Sequence, residues 1–292
     1  MDGILIINKP KGRTSHDIVA RVKKIVGNKV GHTGTLDPNA TGVLPLLIGK
    51  GTLCSQYLME HDKIYEVVLK LGIQTDTADS EGNVINEKEV LISNLHETNV
   101  TEVLKGFLGQ QEQIPPMYSA IKVNGKKLYE YARRGQIVEI KPRQIEIFKC
   151  ELKGINIKEK EICFVVHCSK GTYIRSLCED IAKKLDTVGY MKELNRVRVG
   201  KFDIEQAITV EELENNISNT NFMEEYFISI EKGFEGKEAI VIAENRLKHL
   251  LNGVKLSYNL KDGLYKIYDE KNNFIGIGVA KNNLFKREII LD

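Results

Sequence analysis

Asp37 is the residue whose setting most suggests chemistry. It stands in Gly31-His32-Thr33-Gly34-Thr35-Leu36-Asp37-Pro38-Asn39-Ala40-Thr41-Gly42, a run with three glycines, one proline and no apolar period, which reads as a loop. An Asp-Pro pair can open a helix, the Asp as N-cap and the Pro in the first turn. The following Ala40-Thr41-Gly42-Val43-Leu44-Pro45 does not sustain one. The carboxylate is then left among glycines that allow backbone or substrate to approach closely. Arg175 is the second such residue. Apolar spacing predicts a helix over 172–185, which puts Arg175 in the first turn, where the helix dipole disfavours a cation. An anion should be nearby: a carboxylate such as Asp37, or a nucleic-acid phosphate. The plain alternative is an ordinary surface arginine.

Other chemistries fail on spacing. Gly49-Lys50-Gly51-Thr52 lacks both the first glycine and the Lys-Ser/Thr pair of a phosphate-binding P-loop. A calcium loop registered on Gly82 places Thr77 at the first ligand position and Lys88 where the bidentate glutamate belongs. His167 and Cys168 are adjacent on a strand and so face opposite ways, which argues against a shared metal. No G-x-S-x-G nucleophile elbow occurs. The five cysteines include no C-x-x-C pair and read as reduced, mostly buried thiols. No metal site is expected.

The elements that must position these residues follow from periodicity. Ile4 to Ile7 reads as a buried strand. Thr14 or Ser15 caps a helix with Ile18, Val22, Ile25 and Val26 on one face, ended by Gly27. Tyr65, Val67, Leu69 and Leu71 alternate with Glu66, Val68 and Lys70, a strand with one buried face. Tyr65 then points with the apolar set, so a core aromatic is one reading of it. Val123-Asn124-Gly125-Lys126 signals a tight hairpin, and residues 128–134 a short helix closed by Gly135. Residues 162–168 read as a strand. The helix after it turns Ile174, Leu177, Cys178, Ile181, Ala182 and Leu185 inward. Strands and helices mix without regular alternation, which favours an α+β fold.

The 292 residues are 42% hydrophobic and 28% charged, an ordinary globular mixture. No apolar run approaches the roughly 20 residues of a membrane-spanning helix, and no secretory signal is read at the N-terminus; a cytoplasmic protein is expected. Net charge is only +2, but it is segregated. Residues 1–56 carry eight basic and three acidic side chains, and residues 117–150 again eight and three. Residues 202–245 carry eleven acidic and two basic, and residues 246–292 nine basic and five acidic. Basic segments of this kind suit a phosphate backbone, although solvated faces would look the same. The acidic stretch ends near Gly233-Phe234-Glu235-Gly236, the best boundary in the chain. Past it, a helix at 244–251 and strands at 264–268, 274–280 and 284–291 predict a small β-rich appendage.

The Asp37 loop, extended to Val43-Leu44-Pro45, resembles the catalytic loop of the bacterial TruB family, the tRNA pseudouridine-55 synthases. The resemblance continues in order through Asn8-Lys9-Pro10, Lys63-Ile64-Tyr65, Pro115-Pro116-Met117-Tyr118-Ser119-Ala120-Ile121-Lys122, Gly171-Thr172-Tyr173-Ile174-Arg175-Ser176-Leu177 and Leu194-Asn195-Arg196-Val197-Arg198-Val199-Gly200-Lys201-Phe202. It covers about the first 210 residues, and more weakly the rest. It implies a pseudouridine synthase domain over 1–236, with an antiparallel-rich mixed sheet, and a reduced PUA-like RNA-binding domain over 237–292.

The resemblance also implies roles. Asp37 would be the essential carboxylate, attacking the base, attacking the sugar or removing a sugar proton; the sequence leaves all three open. Arg175 would pair with it, and Tyr65 would stack on the flipped uracil and handle a substrate proton. His32 would fill the gap left in the T loop, Leu194 would line the uracil pocket or serve only the core, and Lys9 would support the site. Lys126, Lys127, Arg133 and Arg134, in the basic insertion around 117–143, would clasp the T arm. The implied reaction needs no cofactor, and the implied partner is tRNA, with no membrane, obligatory protein partner or guide RNA; a monomer is expected. The alternatives are a guide-dependent synthase of the dyskerin type and a non-catalytic RNA-binding or RNA-folding protein, which would not need Asp37.

Overall fold

The structure is a computed structural model and describes residues 1–58 and 61–291. Its centre is a ten-stranded sheet. From edge to edge run Phe227–Ser229, Gly3–Lys9, Thr41–Ile48, Gly189–Val199, Lys63–Leu71, Glu161–Cys168, Arg143–Asn156 and Gly109–Gln113, with Val30–His32 and Phe202–Asp203 paired alongside. The strands are antiparallel except at one seam. There Gly189–Val199 meets Thr41–Ile48 in parallel over only two pairs, Asn195 with Thr41 and Arg196 with Gly42. The seam joins the two halves of the sheet, and the Asp37 loop leads into it. Gly42 is required there: its φ is +103°, and a Cβ would lie 2.2 Å from the Arg196 carbonyl oxygen.

Gly3–Lys9 is apolar without alternation because both its faces are covered. Leu5 and Ile7 join the main core, together with Ile18 and Val22 of the Ser15–Val26 helix and Leu177 and Ile181 of the Ile174–Lys184 helix. Ile4 and Ile6 face a second cluster with Val43, Leu47, Phe202 and Phe234. Periodicity located these helices well. Thr14 forms a capping box with Asp17, and all six residues expected inward on the later helix are buried.

The expected α+β fold is borne out, with strands that the sequence reading does not foresee, Thr41–Ile48, Gly109–Gln113, Arg143–Asn156 and Gly189–Val199 among them. Val30–His32 is a short strand that overlaps the start of the segment read as loop. The C-terminal sheet has five strands, because Glu238–Val241 and Leu256–Ser257 flank the three foreseen. Val30–His32, Glu238–Val241 and Leu256–Ser257 have four residues or fewer, too short for alternation to register. The C-terminal part has its own core around Ile242, Leu250, Ile267 and Phe285. Ile277 and Ile289 instead join the cluster of Ile4, Ile6 and Phe234. The hairpin forms over Lys122–Val123 and Lys126–Lys127, with Asn124 at φ +50° and Gly125 at φ +80°, and the Leu128–Ala132 helix follows. Four of the five cysteines are buried and all five are free.

Candidate active site

The Asp37 loop is pinned on both sides of its carboxylate. The Ser15 hydroxyl, at the start of the first helix, donates to the Leu36 carbonyl (3.2 Å) and accepts from the Leu36 N–H (2.9 Å). The Pro38 carbonyl accepts from the Gly12 N–H (2.9 Å) and from Lys9 Nζ (3.0 Å). Lys9 is fully buried and also donates to the carbonyls of Pro10 and Arg13. Burial pulls its pKa down to about 8, with the charge of Asp37 working against that shift. An Ala40 N–H bond to the Asp37 carbonyl (3.1 Å) closes a single turn and no helix follows.

So held, the Asp37 carboxylate is about a third exposed and faces a cleft of about 740 Å³. Arg175 lies opposite, its side chain 8% exposed, with Nε 3.2 Å from Asp37 Oδ2. Its Nη1 is 3.5 Å from Asp79 Oδ2 and donates to the Thr77 carbonyl (3.1 Å), while Nη2 donates to the Tyr118 carbonyl (2.9 Å). The anion that the helix position demanded is thus present, as two carboxylates. The guanidinium also ties the Asp37 loop to the turn at 76–79 and to the segment leading into the basic insertion.

Tyr65 stands in the cleft wall on the Lys63–Leu71 strand, in phase with buried Val67 and Leu69. Burial pushes its phenol up to about 12, and the charge of Arg196 opposes this. Leu194 belongs to the main core and also lines the cleft. His32 lies beside the loop at the end of the Val30–His32 strand, half-buried, with its ring edge-on to His16 at 5.5 Å. Burial, helped by His16 and Arg196, lowers its pKa.

Tyr118, Tyr129, Arg143 and Lys170 line the outer part of the cleft. Lys127 Nζ and the Arg133 guanidinium lie 5.4 and 5.3 Å from the Tyr129 ring centre, so the basic insertion brings cations and an aromatic face to the cleft together. Lys126 and Arg134 are exposed on the same hairpin and helix end.

Sequence reasoning did not single out Asp79, Arg196 or Tyr129. Asp79 lies within a stretch that reads only as a failed calcium loop. Arg196 had a usable signal: on the Gly189–Val199 strand it is in phase with Leu194, so a charged residue falls on the buried face. It is 1% exposed, and such a cation needs partners.

A mostly antiparallel sheet whose central seam holds a carboxylate–arginine pair and a tyrosine defines a pseudouridine synthase fold. The same fold is found in the crystal structure of a Cbf5-Nop10-Gar1 complex, at a TM-score of 0.72 and 27% identity over 95% of this chain and 78% of that one. Residues 22–174 match the model of the TruB family pseudouridylate synthase N-terminal domain, and residues 175–235 that of the tRNA pseudouridylate synthase B C-terminal domain. The chain belongs to the TruB family. It is 45% identical to the tRNA pseudouridine synthase B of Clostridium kluyveri over 98% of each chain. It is 43% identical to that of Caldanaerobacter subterraneus over 96% of each.

Proposed function

We propose that the protein isomerises uridine 55 in the T loop of tRNA to pseudouridine, with Asp37 as the essential carboxylate. The observation that carries this reading is the Asp37–Arg175 pair at the base of a cleft walled by Tyr65 and Leu194. The reaction breaks the bond from N1 to C1′, turns the uracil and joins C5 to C1′; N1 gains a proton and C5 loses one. It has no net redox change, so no cofactor is called for. A stacked uridine cannot reach Asp37, so it must be flipped out at a cost of a few kcal/mol. Tyr65 then stacks on the base, and His32, beside the loop, takes the vacated place in the T loop. Lys126, Lys127, Arg133 and Arg134 bind the T-arm phosphates.

The relatives named tRNA pseudouridine synthase B match over 96–98% of their length, which supports an enzyme that acts on tRNA; a cytoplasmic monomer that needs neither guide RNA nor protein partner is part of the proposal. Among the described residues no helix is long and apolar enough to cross a membrane. The test is tritium release from unmodified tRNA labelled at uridine C5, with the purified chain and no other macromolecule. One tritium per tRNA is expected, and none from a transcript with cytidine at position 55. Release only when a guide RNA is added, or release unaffected by the cytidine, contradicts the reading.

A further inference from the structure

The helix that carries Arg175 begins without a cap of its own. Its N-cap residue is Tyr173, whose side chain makes no capping hydrogen bond. Ser176, three places on, does not reach back to the Tyr173 N–H as the Glu or Gln of a capping box would; its hydroxyl donates instead to the Ile114 carbonyl (2.9 Å). The missing partner comes from 60 residues earlier in the chain. Gln113, 4% exposed at the end of the edge strand Gly109–Gln113, accepts from the Tyr173 N–H through Oε1 (2.8 Å) and donates from Nε2 to the Tyr173 carbonyl (3.0 Å).

A backbone N–H only donates and a carbonyl only accepts, so a side-chain amide facing this way is what satisfies both at once. The segment 113–118 meets the start of the helix at a third point, where the Tyr118 carbonyl accepts from Arg175 Nη2 (2.9 Å). Arg175 is two residues past Tyr173, so rotation or fraying of this first turn swings the guanidinium away from Asp37. We infer that Gln113 is a positioning residue: by gripping both backbone groups of Tyr173, it sets the start of the helix where Arg175 Nε meets Asp37 Oδ2 at 3.2 Å. Gln113 is not part of the cleft lining, whereas Tyr173, Ile174 and Arg175 are, so it acts through the helix and not on the substrate.

The inference rests on the proposed isomerisation for its catalytic meaning, but the grip is measured without substrate. In the full chain labelled with 15N-tyrosine, the Tyr173 amide is identified by its loss in Tyr173→Phe. It is expected to be protected from hydrogen exchange, although no carbonyl within the helix can hold it. Exchange at the rate of a free peptide overturns the inference, and this measurement needs no change at position 113. Gln113→Met keeps the length of the side chain and removes the amide. In it the protection is expected to vanish and the Arg175 Nε 15N resonance, identified by its loss in Arg175→Lys, to move. Single-turnover pseudouridine formation with saturating tRNA is expected to slow by about tenfold or more in the parent, and by less than about threefold in the Arg175→Lys background. Gln113→Glu sets an oxygen against the Tyr173 carbonyl, and supplies the rate and the Arg175 resonance should Gln113→Met fail to fold. Equal slowing in both backgrounds, or a parent-like rate in a folded variant that only melts lower, makes Gln113 a structural residue and overturns the inference. A protected amide and a moved Arg175 resonance in a chain that makes no pseudouridine uphold the positioning and reject the proposed reaction instead.

Discussion

Arg175 engages four groups from three segments: Asp37, Asp79, Thr77 and Tyr118. Lysine retains the charge but cannot form this planar set of interactions. Arg175→Lys is therefore expected to lower the single-turnover rate by about a hundredfold while leaving T-arm affinity within a few fold; an unimpaired rate would show that the pair has no part in the chemistry. Lys9 gives a pH test. Its folded-state pKa of about 8 lies below the ordinary 10.5, so between those values the unfolded chain binds more protons than the folded one. By linkage, this group makes stability rise with pH across that window and contributes no slope outside it. Lys9→Met takes the ammonium from the Pro10 and Arg13 carbonyls and leaves that of Pro38 with the Gly12 N–H alone, at about 1–3 kcal/mol. Its deficit in urea unfolding is expected to widen from pH 8 to 10.5; a constant or shrinking deficit contradicts the assignment. Arg175 was legible because its helix position was electrostatically wrong without a partner. Asp79 was not, because it meets Arg175 across 96 residues of sequence and nothing local marks it.

Elements with a clear period are legible in the sequence. The helices at 15–26 and 174–184 and the strand carrying Tyr65 place their inward residues as spacing alone required. The two-pair parallel seam was not legible, since so short a pairing between distant segments leaves only one trace, the obligatory glycine at 42. The hairpin at 122–127 announced itself through Asn124-Gly125, whose positive φ values fit the tight turn. Around Tyr129 its cations form a surface that reaches the cleft mouth. Changing Lys126, Lys127, Arg133 and Arg134 to alanine is expected to weaken tRNA binding and to flatten its log–log salt slope by about 0.7–0.9 for each phosphate that is no longer neutralised. Titrations at several salt concentrations check this, and an unchanged slope would make the segment a solvated face only.

For the whole molecule, we propose residues 1–236 as the catalytic part and residues 237–292 as an RNA-binding appendage. Charge segregation pointed to this division, but it could not reveal how tightly the parts are joined. Ile277 and Ile289 pack with Ile4, Ile6 and Phe234, and the Tyr268 hydroxyl donates to Glu231 Oε1 at 2.6 Å. Burying each isoleucine contributes about 1.5–3 kcal/mol, so a chain ending at 236 is expected to melt several degrees lower. Its tRNA affinity is expected to fall while its saturating single-turnover rate stays within about threefold of the parent. A folded truncation with unchanged affinity and a collapsed rate would mean that the appendage helps to build the site.

All of this turns on Asp37, to which Ser15, Gly12, Lys9 and Arg175 are directed. The most direct test is Asp37→Asn, which keeps the shape of the side chain but can neither attack nor accept a proton as a carboxylate does. Pseudouridine formation at position 55 is measured in a single turnover with saturating tRNA, beside the affinity of the same preparation. The account predicts that product falls below detection with affinity within a few fold of the parent. Turnover by Asp37→Asn near the parent rate would contradict it.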